Sequence, residues 1–132
     1  MTEGFVNYWE SVKPDSPEFP FAEVMVNTPK IIFTKTLDKP MGKNTSLAKG
    51  NLPDEILNLK KQNGKDIIVY GGAGFVSSLI KNNLIDEYHL FINPTAIGKG
   101  LEIFKDVESK LSLKLVKSTA FDCGIVVNQY QP

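Results

Sequence analysis

Gly71-Gly72-Ala73-Gly74 closes the apolar run Ile67-Ile68-Val69-Tyr70 and opens a segment with helical apolar spacing at Phe75, Val76, Leu79 and Ile80. Glycines at a helix start suit an anion. The first-turn N–H groups are free and carry partial positive charge, and without Cβ atoms a ligand can approach the backbone closely. The chemistry is the cradling of a phosphate or diphosphate. A tight strand-to-helix turn needing positive φ would use the same residues, and both readings stand at this point.

Known phosphate loops narrow the choice. No Gly-Lys-Ser/Thr follows the glycines, so this is not a Walker A loop. Gly72-x-Gly74-x-x-Ser77 comes near the dinucleotide fingerprint. That fingerprint follows the first strand and is answered by an acid at the end of the next. Here an upstream strand, "KIIFTKT", precedes it, and the next strand ends in Asn93-Pro94.

Other reactive side chains read as structural. Asp86 and Glu87 are adjacent in a strand and point to opposite faces, so they do not serve one site. His89, in an apolar strand, reads as a packed histidine, and Tyr70 as a buried strand tyrosine. Tyr8 and Trp9 read as core packing. Cys123, in a turn, has no neighbour that would lower its pKa.

The elements that position these residues follow from period and punctuation. Residues 1–12 form an aromatic helix, and "KPDSPEFP" is a loop. Phe21 to Asn27 is helical and Lys30 to Thr36 is a buried strand. Thr45 to Ala48 is a weak strand, and Pro53 opens a helix capped by Asn51. "DIIVYG" is a continuous apolar strand of the kind buried on both faces of a parallel sheet. Gly74 to Asn82 is a helix, "DEYHLFINP" a strand, and "TAIGKGLEIF" a Gly-rich loop ending in a helical turn. Leu111, Leu113 and Leu115 alternate with polar residues in a half-wet strand. "FDCG" then turns the chain into "IVVNQY" as a hairpin. The sum is an α/β sandwich with a mostly parallel sheet and an antiparallel edge.

Composition excludes several function classes. The 132 residues fit one domain, 1–132. Fifteen basic residues balance fifteen acidic ones, which argues against nucleic acid as a partner. Every basic residue is Lys, so the forked guanidinium clamp for phosphate is absent. One cysteine and one histidine leave no disulfide, no cysteine-rich zinc site and no histidine-pair metal motif. No stretch reaches membrane-spanning length and no signal peptide is visible, so the expectation is a cytoplasmic protein without a membrane partner.

Gly71-Gly72-Ala73, then Leu84-Ile85-Asp86-Glu87, then Pro94 with Gly98, Gly100 and Phe104 together resemble a known family. It is the C-terminal reductase domain of the bifunctional riboflavin-biosynthesis deaminase–reductase, with its stand-alone relatives. The resemblance extends over nearly the whole chain. It implies a dihydrofolate-reductase-like three-layer sandwich, NADPH as cofactor, a homodimer, and hydride transfer to a small pyrimidine-, pteridine- or sugar-like molecule. It also implies that the backbone of Gly71, Gly72, Ala73, Gly74, Phe75 and Val76 lines the NADPH diphosphate. Thr34 and Lys35 fall near the adenosine ribose, where Lys35 could neutralise a 2′-phosphate or be a solvated strand-end lysine. Thr2 matches the threonine of a cofactor-binding "G-R-x-T" turn. Gly98 and Gly100 fall at the nicotinamide and substrate mouth, where a plain loop is the favoured reading. Relative to the family the chain is N-terminally truncated by a central strand and its loop, leaving unpaired backbone and an apolar seam. No catalytic residue is assigned. The alternative is a non-catalytic nucleotide-binding or self-associating module.

Overall fold

The computed structural model describes residues 2–69 and 72–132, with Thr2 described through its backbone. The chain divides into two units, Met1–Glu55 and Ile56–Pro132, and each is described by itself.

In the first unit, α1 (Thr2–Ser11) packs on α2 (Phe19–Asn27) through an aromatic cluster. Trp9 sits edge-on to Phe5, Tyr8 and Phe21, with ring centroids 6.3, 4.9 and 5.1 Å away. Trp9 is half-buried, but Tyr8 is exposed and donates to Glu18 at 2.6 Å, so only part of the expected aromatic core is core. The buried side chains are Val6, Ala22, Met25 and Ala48. Helix α2 begins two residues earlier than its sequence suggested and takes Pro20 into its first turn. Proline is tolerated there because that turn's N–H groups have no intrahelical acceptor.

Strands β1 (Lys30–Phe33) and β2 (Thr45–Ala48) pair in parallel, Lys30 opposite Thr45 through Phe33 opposite Ala48. The expected strand to Thr36 stops early. Thr34 Oγ1 accepts from the Thr36 and Leu37 amides at 3.2 and 3.1 Å and turns the chain. Gly42 has φ +80°, and a Cβ there would clash with Val6 Cγ1, so this turn requires glycine.

In the second unit, α3 (Leu52–Lys60), which begins in the first, leads to α4 (Ala73–Lys81). Asn51 Oδ1 caps α3 from Asp54 N at 3.5 Å. Strands β3 (Tyr88–Ile92), β4 (Lys114–Ala120) and β5 (Val126–Gln131) form an antiparallel sheet in the order β3-β5-β4. Its hairpin turn is the expected one, with Gly124 at φ +87°. A register shift between Leu115 and Lys117 breaks the predicted alternation and leaves Leu115 and Val116 both exposed.

Two expectations need correction. Among the described residues the only parallel pair is β1–β2, and antiparallel pairing dominates. The reason is the second difference: residues 66–69, read as a strand buried on both faces, are not in a strand. Ile67, Ile68 and Val69 are 53 %, 74 % and 39 % exposed. A strand of that kind needs a hydrogen-bonded neighbour and covered faces, and among the described residues neither is present for this run. Tyr70 lies outside the described residues. The segment after Gly100 forms bends and turns without a helix.

One lysine organises the first unit. Lys30 Nζ donates to the carbonyls of Met25, Val26 and Thr28 at 3.0, 2.9 and 3.0 Å, closing the C-terminal end of α2. Burial pulls this ammonium below the ordinary lysine pKa, against an opposing pull from Glu10. Lys30→Ala should therefore leave a helix end short of donors and cost about 1–2 kcal/mol. Urea denaturation checks it: an unchanged midpoint would show that water replaces the ammonium at no cost.

Candidate functional site

Helix α4 carries the candidate anion site. Its inner face is fixed by Leu79 and Ile80, both buried, and by Ser77, 1 % exposed. Its C-terminal end is a Schellman turn: Asn83, at φ +52°, donates to Ile80 O and Leu84 to Leu79 O, both at 3.0 Å. Asparagine is among the few residues that adopt this backbone readily.

The N-terminal end is left open. Gly72, at φ −55° and ψ 165°, is the N-cap and offers no side-chain acceptor, and no acid lies in the first turn. Phe75 N and Val76 N both donate to Gly72 O, at 2.9 and 3.1 Å. The N–H groups of Ala73 and Gly74 have no acceptor among the described residues. Gly74 is exposed, and a Cβ on it would meet nothing within 4 Å. Packing within the chain therefore does not demand glycine there. The arrangement can bind an anion through two amides and the positive end of a nine-residue helix.

The sequence-derived site residues fall into groups. Gly72, Ala73, Gly74, Phe75 and Val76 lie together at this helix end, with the Phe75 and Val76 amides engaged by Gly72. Gly71 lies outside the described residues. Thr34, Lys35 and Thr2 belong to the first unit. Thr2 opens α1. Thr34 Oγ1 is engaged in its turn. Lys35 Nζ donates to Lys49 O and Gly50 O at 2.7 and 3.0 Å, so it is neither free nor merely solvated. Gly98, at φ +74°, and Gly100 lie in an exposed loop with open space around Gly98.

Three contacts were not foreseen. Ser77 Oγ donates to Asp106 Oδ2 at 2.8 Å, and Lys81 pairs with Glu108. One helical turn apart, they strap the 106–108 segment along α4. Nothing local in the sequence signals a pairing across 29 residues. The third was legible. Glu87, one residue before β3, is two residues from His89 within it, and His89 Nε2 lies 2.6 Å from Glu87 Oε1. His89 is thus exposed and paired rather than packed. Asp86 lies in a bend before β3 and not in the strand expected to start there, and it pairs with Lys60 at 2.5 Å.

Hydrogen bonding from Gln129, then from His89 and Gln131, holds the Glu87 carboxyl below the usual glutamate range. The folded state favours the carboxylate, so this contribution is present above the ordinary glutamate pKa. It is lost as pH falls through the lowered value. Carboxyl carbon NMR should find Glu87 protonating later than free glutamate on acidification, with Gln129→Ala moving its titration back up. Identical titrations in both proteins would remove Gln129 from this role.

Comparison with known proteins gives the site its setting. The family model of the RibD C-terminal domain matches residues 4–127. The Bacillus subtilis protein YyaP is 35 % identical over 97 residues, covering 74 % of this chain and 51 % of YyaP. A second protein of that organism, YwjB, is 28 % identical over 111 residues, covering 83 % of this chain and 62 % of YwjB. The chain thus spans about half to three-fifths of the length of these relatives. Among solved structures, a putative riboflavin biosynthesis protein from Shewanella aligns with a TM-score of 0.62 at 20 % identity, covering 94 % of this chain and 86 % of that one. A pyrimidine reductase-like protein from Corynebacterium diphtheriae aligns with a TM-score of 0.53 at 18 % identity, covering 88 % and 53 %. At these identities the structures speak for the fold, which is mixed α/β, and the matched family speaks for descent: the chain belongs to the RibD C-terminal domain family.

Proposed function

We propose that this chain is the reductase domain of an NADPH-dependent enzyme that transfers hydride to a small pyrimidine-, pteridine- or sugar-like substrate. The observation that carries the reading is the open N-terminus of α4: an N-cap glycine without a side-chain acceptor, two amides without partners, and open space at Gly74. These features fit a diphosphate, and the family and its reductase-like structural neighbours support the reaction class. When bound, NADPH supplies the hydride from its nicotinamide ring. The protein's part is binding and orientation. The Ala73 and Gly74 amides hold the diphosphate, and the buried Leu79–Ile80 face and the Ser77–Asp106 contact keep α4 from moving under it. Lys35, in the first unit, already holds two carbonyls, so toward a 2′-phosphate it would act as a shared point charge. The dihydrofolate-reductase-like sandwich, the homodimer and a cytoplasmic location belong to the same proposal. No helix among the described residues is long and apolar enough to cross a membrane.

A second reading, a self-associating module without catalysis, is favoured by the uncovered Ile67–Val69 run.

Thermal melting with NADPH, and with NADH alongside, tests the first reading. Ligand at about 100 times its dissociation constant adds roughly 2.7 kcal/mol, a rise of several degrees. A larger rise with NADPH than with NADH supports a contact to the 2′-phosphate, and equal rises remove that contact from the reading. No rise with either, from a cooperatively melting protein, withdraws the cofactor and leaves the second reading.

Gly74→Ala separates folding from binding. It introduces no clash and replaces a poor helix former, so it should raise stability by about 0.5–1 kcal/mol. The same methyl should weaken NADPH binding several-fold. Higher stability with unchanged affinity would move the diphosphate away from Gly74.

A further inference from the structure

Helix α3 ends at Lys60, and the chain passes through Lys61-Gln62-Asn63-Gly64-Lys65 before the uncovered run at Ile67. Asn63-Gly64 is the one place in the sequence where glycine follows asparagine. That pair carries chemistry of its own. The asparagine Cγ and the backbone nitrogen of the next residue are spaced to close a five-membered ring. A side chain on the next residue hinders the approach, and glycine has none.

The fold decides whether the ring can close. A helix or strand fixes the backbone and engages its N–H groups. Residues 61–65 belong to neither, and all of them are exposed. The end of α3 is closed by Gln62 N, which donates to Leu59 O at 3.1 Å. Beyond that bond, neither the backbone nor the side chain of Asn63 or Gly64 has a hydrogen-bond partner among the described residues. The Asn63 amide can turn onto the Gly64 nitrogen without breaking a contact. A Cβ on Gly64 would meet nothing within 4 Å, so no neighbour crowds the ring.

Other asparagines are held or blocked. The Asn44 amide donates to the carbonyls of Val26 and Asn27, and the Asn82 amide to Ser78 O. Asn51 Oδ1 caps α3. Asn93 precedes Pro94, which has no N–H to lose.

We propose that Asn63 is a site of spontaneous covalent modification in the folded protein. The Gly64 nitrogen gives its proton to base and bonds to Asn63 Cγ. The Cγ–Nδ2 bond breaks, and the leaving nitrogen takes up a proton and departs as ammonia. The resulting succinimide then adds one water. Opening at Cγ restores the backbone with an aspartate at position 63. Opening at the backbone carbonyl carbon leaves the chain running through Cβ and Cγ, an isoaspartate. Amide and water thus become acid and ammonia, with no change of oxidation state. Either product places a new carboxylate between Lys61 and Lys65, and the isoaspartate adds one carbon to the main chain between α3 and Ile67. The site is independent of the cofactor proposed at α4.

The full chain is incubated in mildly alkaline buffer, in mildly acidic buffer, and in alkaline buffer with urea, then mapped by peptide mass spectrometry. The Asn63 peptide should gain the mass difference between an amide and an acid and resolve into two products of equal mass. The reaction should be faster in alkali and, in the folded chain, close to its rate in urea. Gly64→Ala fits the fold, since Gly64 is not among the positive-φ residues, and should slow the reaction by an order of magnitude or more. Asn63→Gln should remove both products and leave the melting temperature unchanged, since the replaced side chain bonds nothing in the fold. An Asn63 peptide that changes in urea and not in the folded chain would overturn the proposal. So would another asparagine reacting first, a Gly64→Ala rate equal to the parent's, or aspartate forming without isoaspartate. Thermal melting with NADPH decides the cofactor separately, so either reading can fail without the other.

Discussion

A helix must do something with its first N–H groups, and among the described residues two of those in α4 have no acceptor. That omission is the constraint on which the rest of the second unit depends. A serine or aspartate at position 72 would have satisfied the first turn from within the chain. Glycine instead leaves Ala73 and Gly74 to water or to a ligand, at some cost to the isolated helix. The remainder of α4 offsets that cost. Leu79 and Ile80 are buried, Ser77 is held by Asp106, Lys81 by Glu108, and the far end is closed by a Schellman turn. An open end is useful for binding only if the helix behind it is held, because a positioned dipole needs no reorganisation when charge arrives.

The same accounting of backbone groups governs the strands. The two sheets satisfy one side of β1 and one side of β3, and the apolar run 66–69 pairs with nothing among the described residues. Ile68, 74 % exposed, carries the composition of a doubly covered strand without its surroundings. Pattern states what a segment can bury. Pairing decides whether it does, and pairing is a property of neighbours.

This explains which parts were legible. Segments decided by their own residues were read to within one or two positions: β2 at Thr45–Ala48, the Asn51 cap, the extent of α4, and the Phe121–Gly124 turn. Segments decided by distant partners were not. The 66–69 run has no strand neighbour among the described residues, and β4 was shifted by an irregularity near Val116; the early end of Lys30–Thr36 is the exception, a local turn made by the Thr34 hydroxyl. In the candidate site, the glycines at α4 announced themselves by composition. Ser77–Asp106 could not, because a hydrogen bond spanning 29 residues has no local signature. Glu87–His89 was within reach, since the strand expected from the sequence ran through both and two-residue spacing there places them on one face. The apolar neighbours of His89 outweighed that spacing in the sequence reading.

The absence of arginine runs through both units. A guanidinium presents its donors in a plane and matches a carboxylate or phosphate edge, whereas an ammonium presents three around a point. Lysine is therefore the better closure for converging carbonyls, and this chain uses it that way twice: Lys30 on three at the end of α2, Lys35 on two at the end of β2. That use bears on the cofactor. A lysine already bridging Lys49 and Gly50 is held in place without any ligand, which lowers the entropy lost when a phosphate arrives. It also shares its charge with two dipoles, which weakens the phosphate contact. The two effects oppose each other, so Lys35 is first a closure for the carbonyls that follow β2 and only a shared charge toward any phosphate.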